Sequence, residues 1–151
     1  MTETTLIAKQ RLEELVSFFG ANVNVEADET DDGIELSVAG SPKSSRLIGH
    51  RGETLRAIEF LLNQMVKRID GEAPRVMVDV GGYKKARRET LQELASGVAE
   101  RVKESGLEEE LKPMNPAERR IVHMALRDID GIDTESRGTD RDRHIVVKPT
   151  A

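Results

Sequence analysis

The sequence predicts an α+β chain of two small modules, the first ordered αββααβ and the second built from helices and a hairpin. Three observations carry that reading. Over residues 6–80 the apolar residues switch repeatedly between helical spacing and strict alternation. Gly81-Gly82 then interrupts the pattern. Beyond it, a sharply marked helix start at Asn115-Pro116 leads into a second hairpin. A chain of 151 residues suits one ordinary domain or two small ones, and the glycine pair favours modules at 1–81 and 82–151.

In the first module, Leu12, Leu15, Val16 and Phe19 fall at helical spacing, and Gly20 stops that helix. Val23 and Val25 alternate with Asn22, Asn24 and Glu26, the pattern of a half-buried strand. Asp28 to Gly33 reads as an acidic turn, and Ile34, Leu36 and Val38 as the hairpin partner, ended by Gly40 and Pro42. A short helix fits Lys43 to Ile48. The helix beginning at Glu53 is the best marked, with Leu55, Ile58, Leu62, Met65 and Ile69 on one stripe widened by Leu61 and Val66. Asp70-Gly71 ends it, and Val76, Met77, Val78 and Val80 form a third strand.

Between the two central helices lies Gly49-His50-Arg51-Gly52. Two glycines spaced by two residues allow a sharp turn and a close backbone approach to a ligand, since neither carries a Cβ. Backbone N–H groups at the start of the next helix, at its positive dipole end, are expected to face outward as a phosphate site. GxxG alone arises often by chance. Placed between two helices with strands on either side, it is the loop by which KH domains grip a single-stranded nucleic-acid backbone, and the element order fits the type II KH arrangement.

The second module begins with a helix from Tyr83 to about Glu104 carrying Ala86, Leu91, Leu94, Val98 and Val102, ended by Ser105-Gly106. Leu107 to Met114 is mixed, with a short strand near Leu111. Asn115 as N-cap, Pro116 at the first helical position and Glu118 at the third then start a helix that sends Ile121, Val122, Ala125, Leu126 and Ile129 to a core. Ile132 to Ser136 and His144 to Val147 read as two strands joined by the polar turn 137–143. Arg119 and His123, four residues apart, share a helix face, with Arg120 and Arg127 nearby. A guanidinium beside an imidazole suits a phosphate or a base edge. The same spacing also fits a plain helix surface in which His123 packs its ring and Arg119 pairs with an acid.

The net charge of −5 looks wrong for a nucleic-acid binder, but its distribution does not. Residues 1–42 carry a net −7, whereas residues 43–69 and 75–88 each carry +4. Local potential within a Debye length of about 8–10 Å sets a phosphate footprint, so an acidic total does not exclude one. Zero cysteines remove disulfides, thiol catalysis and zinc ribbons, and no window approaches the length of a membrane span. The amino terminus is neither basic nor followed by an apolar run, so a cytoplasmic location is expected. The acids Asp28, Glu29, Asp31 and Asp32 lack cation-loop spacing, the histidines His50, His123 and His144 are scattered, and no cofactor is implied. Catalysis is not expected.

The stretch from Arg46 to Leu61 (RLIGHRGETLRAIEFL) resembles the KH segment of the bacterial Jag family, also called KhpB. Asn115 to Leu126 (NPAERRIVHMAL), then Thr134 to Gly138 and Arg143 to Val147, resemble the family's second, Arg-x-x-x-His domain, whose signature pair is met by Arg119 and His123. Val78 to Leu91 is similar to the family's linker and the helix after it. The resemblance implies an RNA-binding protein with no catalytic step, acting after transcription and linked to cell elongation and division, with a small single-KH protein as partner. Many relatives begin with a separate Jag domain and long linker, while this sequence begins a few residues before the KH helix, so roles of that domain are not carried over.

The expected interface comprises Arg46, Ile48, Gly49, His50, Arg51, Gly52 and Arg56 in the first module, and Arg119, Arg120 and His123 in the second. Phosphates of about four nucleotides would lie along the GxxG loop, in a groove bounded by the flanking helices and the second strand, over an aliphatic floor including Ile48 and Leu55. Single-stranded RNA is the expected ligand, and single-stranded DNA also fits a backbone clamp. Phe18, Phe19 and Phe60 sit on helices expected to need them for packing, which leaves no aromatic stacking platform. The competing reading is a protein-interaction adaptor whose two domains dock a partner rather than RNA.

Overall fold

A computed structural model describes residues 1–150. They divide into two compact units, Met1–Lys84 and Lys85 onward.

The first unit opens with α1 (Glu3–Ser17), started by Thr2, whose hydroxyl accepts from the Thr5 N–H at 3.2 Å. The strands β1 (Val25–Thr30) and β2 (Gly33–Val38) pair antiparallel from Val25↔Val38 to Thr30↔Gly33. The acidic segment is therefore mostly strand, and the turn shrinks to Asp31-Asp32. Two-residue hairpin loops are favoured, and only glycine fits at position 33, where φ is +136° and a Cβ would lie 2.2 Å from the Arg75 carbonyl oxygen. Glu29 accepts from the Thr2 N–H and the Thr5 hydroxyl, 2.5 Å each, which holds its carboxyl down at about 2.

After α2 (Ser44–Ile48), a single 3₁₀ turn (His50–Gly52) and α3 (Glu53–Ile69), β3 (Val76–Val80) runs parallel to β2 in register Ile34↔Val76 to Val38↔Val80. β2 is the middle strand. Its Ile34, Leu36 and Val38 are buried while Glu35 and Ser37 are exposed, so one face of the sheet takes the helices. This is the expected type II KH arrangement. α3 buries Leu55, Ile58, Leu62 and Val66, but Leu61 and Ile69 are exposed, because the stripe turns through Val66. Two phenylalanines overturn the packing expectation: Phe18 is 86% and Phe60 64% exposed, and only Phe19 packs on the core.

α3 also closes the outer edge of β3. Asn63 accepts from the Val76 N–H at 2.9 Å and donates to the Val76 carbonyl at 2.7 Å, while the Glu59 carboxylate accepts from the Val78 N–H at 2.8 Å. Lys84 Nζ donates to the same Glu59 carboxylate at 2.6 Å.

The second unit contains most of α4 (Tyr83–Ser105), then β4 (Glu109–Glu110), α5 (Pro116–Leu126), β5 (Ile132–Arg137) and β6 (His144–Pro149). Its sheet is ordered β4-β6-β5 and antiparallel throughout. α4 buries Leu91, Ala95, Val98, Ala99 and Val102, and leaves Leu94 exposed. The small residues at 95 and 99 complete the stripe in place of the expected Leu94. α5 starts as expected: the Asn115 side chain accepts from the Glu118 N–H at 2.9 Å with Pro116 in the first turn. Glu118 does more than cap. It is only 5% exposed and accepts from Arg87 Nε at 2.8 Å.

Candidate nucleic-acid interface

The loop of the first unit is held by backbone geometry. Gly49 has φ +71° and ψ −173°, and a Cβ there would stand 2.2 Å from Thr54 Oγ1. Arg51 adopts the left-handed conformation at φ 52°, followed by Gly52 at φ +75°. A Cβ on Gly52 would meet the Tyr83 ring at 2.9 Å. Both glycines are thus sterically required.

Several amides expected to face a ligand are spent inside the turn. Gly49 N–H donates to the Ser45 carbonyl at 2.9 Å, Gly52 N–H to that of Gly49 at 3.4 Å, and Glu53 N–H to that of His50. A 3₁₀ turn closes on itself this way, so it offers fewer outward donors than an open loop. Among the described residues, no side chain caps the start of α3. What the bend presents is an imidazole among guanidiniums: His50, Arg46 and Arg56 are exposed and Arg51 half-buried.

One residue of the expected floor is corrected. Leu55 is 2% exposed and belongs to the core, since it falls on the buried stripe of α3; Ile48 remains half-buried. The middle strand β2 is hydrogen-bonded on both sides, and β3 is the edge strand against which both α2 and α3 lie.

In the second unit, α5, β5 and β6 border an open cavity of about 370 Å³ lined by Pro116, Arg119, Arg120, His123, Thr134, Glu135, Ser136 and Ile145. Arg119, Arg120 and His123 thus converge on one wall, whereas Arg127 lies off the cavity and pairs with Asp128 at 3.5 Å. Arg119 pairs with no acid among the described residues; its Nη1 donates to the Met114 carbonyl at 2.7 Å. His123 Nδ1 lies 2.6 Å from Thr134 Oγ1.

The acid on the wall, Glu135, is drawn toward other cations. Lys148 Nζ donates to it at 2.8 Å and Arg137 Nε bonds its second oxygen, which together hold its carboxyl below the usual range. Arg137 also forks onto Glu108 at 2.9 and 3.1 Å. With its acid paired in this way, the cavity presents an anion with two guanidiniums, an imidazole and hydroxyls, beside the apolar Pro116 and Ile145. Sequence reasoning missed Thr134 and Ser136. Their alternation on β5 was visible, but nothing in it said which helix the strand faces.

Among the described residues, no group of three or more acids or histidines is placed to hold a metal ion, and no helix is long and apolar enough to cross a membrane.

The chain is similar to known proteins over most of its length. The family model of the R-3-H domain, the Arg-x-x-x-His domain, matches residues 89–149. The RNA-binding protein KhpB of Clostridium symbiosum is 35% identical over 126 residues, which cover 83% of this chain and 56% of that protein. Its namesake in Bacillus subtilis (strain 168) is 32% identical over 142 residues, covering 93% and 68%. That of Streptococcus pneumoniae serotype 2 is 30% identical over 130 residues, covering 83% and 39%. The chain therefore spans little more than half the length of the first of these relatives.

Proposed function

The chain belongs to the KhpB family, and from that premise we propose that it binds single-stranded RNA at two places. The GxxG bend acts as a backbone clamp, with Arg46, His50, Arg51 and Arg56 around it. The cavity of the second unit takes a further phosphate on Arg119, Arg120 and His123. The domain division at Gly81-Gly82, a cytoplasmic location, the absence of a catalytic step and a role in cell elongation and division belong to the same reading. The observation that carries it is the cavity on which three basic side chains converge while its acid is paired away.

Fluorescence anisotropy with a labelled single-stranded RNA tests it. Changing both His50 and Arg51 to Asp, or Arg119 to Ala, should weaken binding about tenfold or more, because each removes a charge-assisted contact. With roughly four to six phosphates engaged, the log–log salt slope should be about −3 to −4. A slope near zero overturns the clamp. The same oligonucleotide as DNA measures whether the 2′-hydroxyl is read.

One observation favours a second reading, docking of a partner protein such as a small single-KH protein. Phe60 and Leu61 lie exposed on α3, away from its buried stripe. Phe60→Ser should then abolish capture of that partner while leaving RNA affinity within about twofold, as expected for a surface change. Loss of RNA binding in the same variant would count against a separate docking face.

A further inference from the structure

His123 lines the cavity of the second unit, and one of its ring nitrogens has a partner there. Nδ1 lies 2.6 Å from the Thr134 hydroxyl, and the structure gives Nε2 no hydrogen bond among the described residues. A hydroxyl can donate to a bare ring nitrogen or accept from a protonated one, and the choice fixes which nitrogen of a neutral imidazole carries the proton. The hydroxyl of Thr134 has no other bonding partner among the described residues, so accepting from Nδ1 would leave its proton to solvent. Donation to Nδ1 satisfies both groups.

Resting on the RNA-binding reading of this cavity, we propose that Thr134 is a positioning residue: its hydroxyl donates to His123 Nδ1, places the ring proton on Nε2, and holds that N–H as a donor to a phosphate oxygen. The neutral ring then matches Arg119 and Arg120, which are donors only. Had Nδ1 carried the proton, Nε2 would present a lone pair to an anion and repel it. The charged groups that line the cavity with the ring are Arg119 and Arg120 on its own helix and Glu135 on β5. Glu135 stays ionised from mildly acidic pH upward, since its pairing with Lys148 and Arg137 lowers its pKa. The ring's orientation therefore does not depend on a carboxyl titrating beside it.

The test uses the full chain and two readouts. Imidazole ¹⁵N spectra, recorded where raising the pH no longer changes them, should show Nε2 protonated and Nδ1 as a bonded acceptor. Thr134→Val should shift the Nδ1 resonance, and Thr134→Ser should restore it. Affinity for a single-stranded RNA should fall about fivefold in the valine variant and stay within about twofold in the serine variant, the scale of one hydrogen bond. In a His123→Ala background the valine change should add nothing. A proton on Nδ1, or a valine defect that persists without His123, overturns the proposal. Unchanged RNA affinity in His123→Ala, with the tautomer as expected, overturns the ring's use toward phosphate and with it the RNA reading of the cavity, while leaving its orientation by Thr134 supported.

Discussion

The two candidate sites are built from different materials. In the first unit the site is a backbone shape, a bend in which Gly49 and Gly52 leave no room for a side chain. In the second it is a set of side chains on a regular helix and strand, whose own backbone is ordinary. A shape made of backbone cannot be removed without disturbing the fold that makes it. A set of side chains can be edited one at a time. Binding and stability should therefore be coupled at the loop and separable at the cavity.

The strongest attempt to break this comparison is Gly49→Ala. The substitution combines a positive φ with a 2.2 Å overlap on Thr54, and should cost the first unit about 3 kcal/mol in chemical denaturation, with RNA affinity falling alongside. A stable variant with weak binding would show that the loop, too, is separable. Next is Glu118→Ala in the second unit. It strands Arg87 Nε beside a buried position and should cost about 2 kcal/mol, a structural loss one residue away from the separable Arg119. Asn115→Ala removes the cap of α5 and should cost about 1 kcal/mol with the cavity side chains kept, so RNA affinity should barely move.

The smallest effect concerns pH. The folded carboxyl of Glu29 titrates at about 2, below its ordinary value of 4.5, so its stabilising contribution is complete above about 4.5 and is lost as pH falls toward 2. Melting midpoints of the wild type and Glu29→Gln should therefore converge as the solution is acidified through that window. Parallel curves would deny Glu29 any part in holding the start of α1.

The elements themselves were legible because each carries a local cause. Asn115-Pro116 offers a cap and a fixed first helical φ, and the alternation of Ile34, Leu36 and Val38 suits a half-buried strand. What failed was the choice between adjacent apolar residues. Leu61 or Leu62, Met65 or Val66, Leu94 or Ala95: periodicity tolerates either, and only the neighbouring element decides which is covered. The exposure of Phe18 and Phe60 escaped for the opposite reason, since hydrophobicity argues for burial and says nothing of a surface left open. Within the site, the cations that share a wall were legible from their spacing. Thr134 and the diversion of Glu135 were not, because both depend on which strand lies opposite α5.

The side chains of Asn63 and Glu59 have one more consequence. An unpaired strand margin is a template onto which another polypeptide can be stitched through main-chain bonds. Along β3 the amides of Val76 and Val78 are already occupied by groups from the same molecule. A newcomer cannot join the sheet at that margin until α3 lets go, which leaves β1 as its other edge.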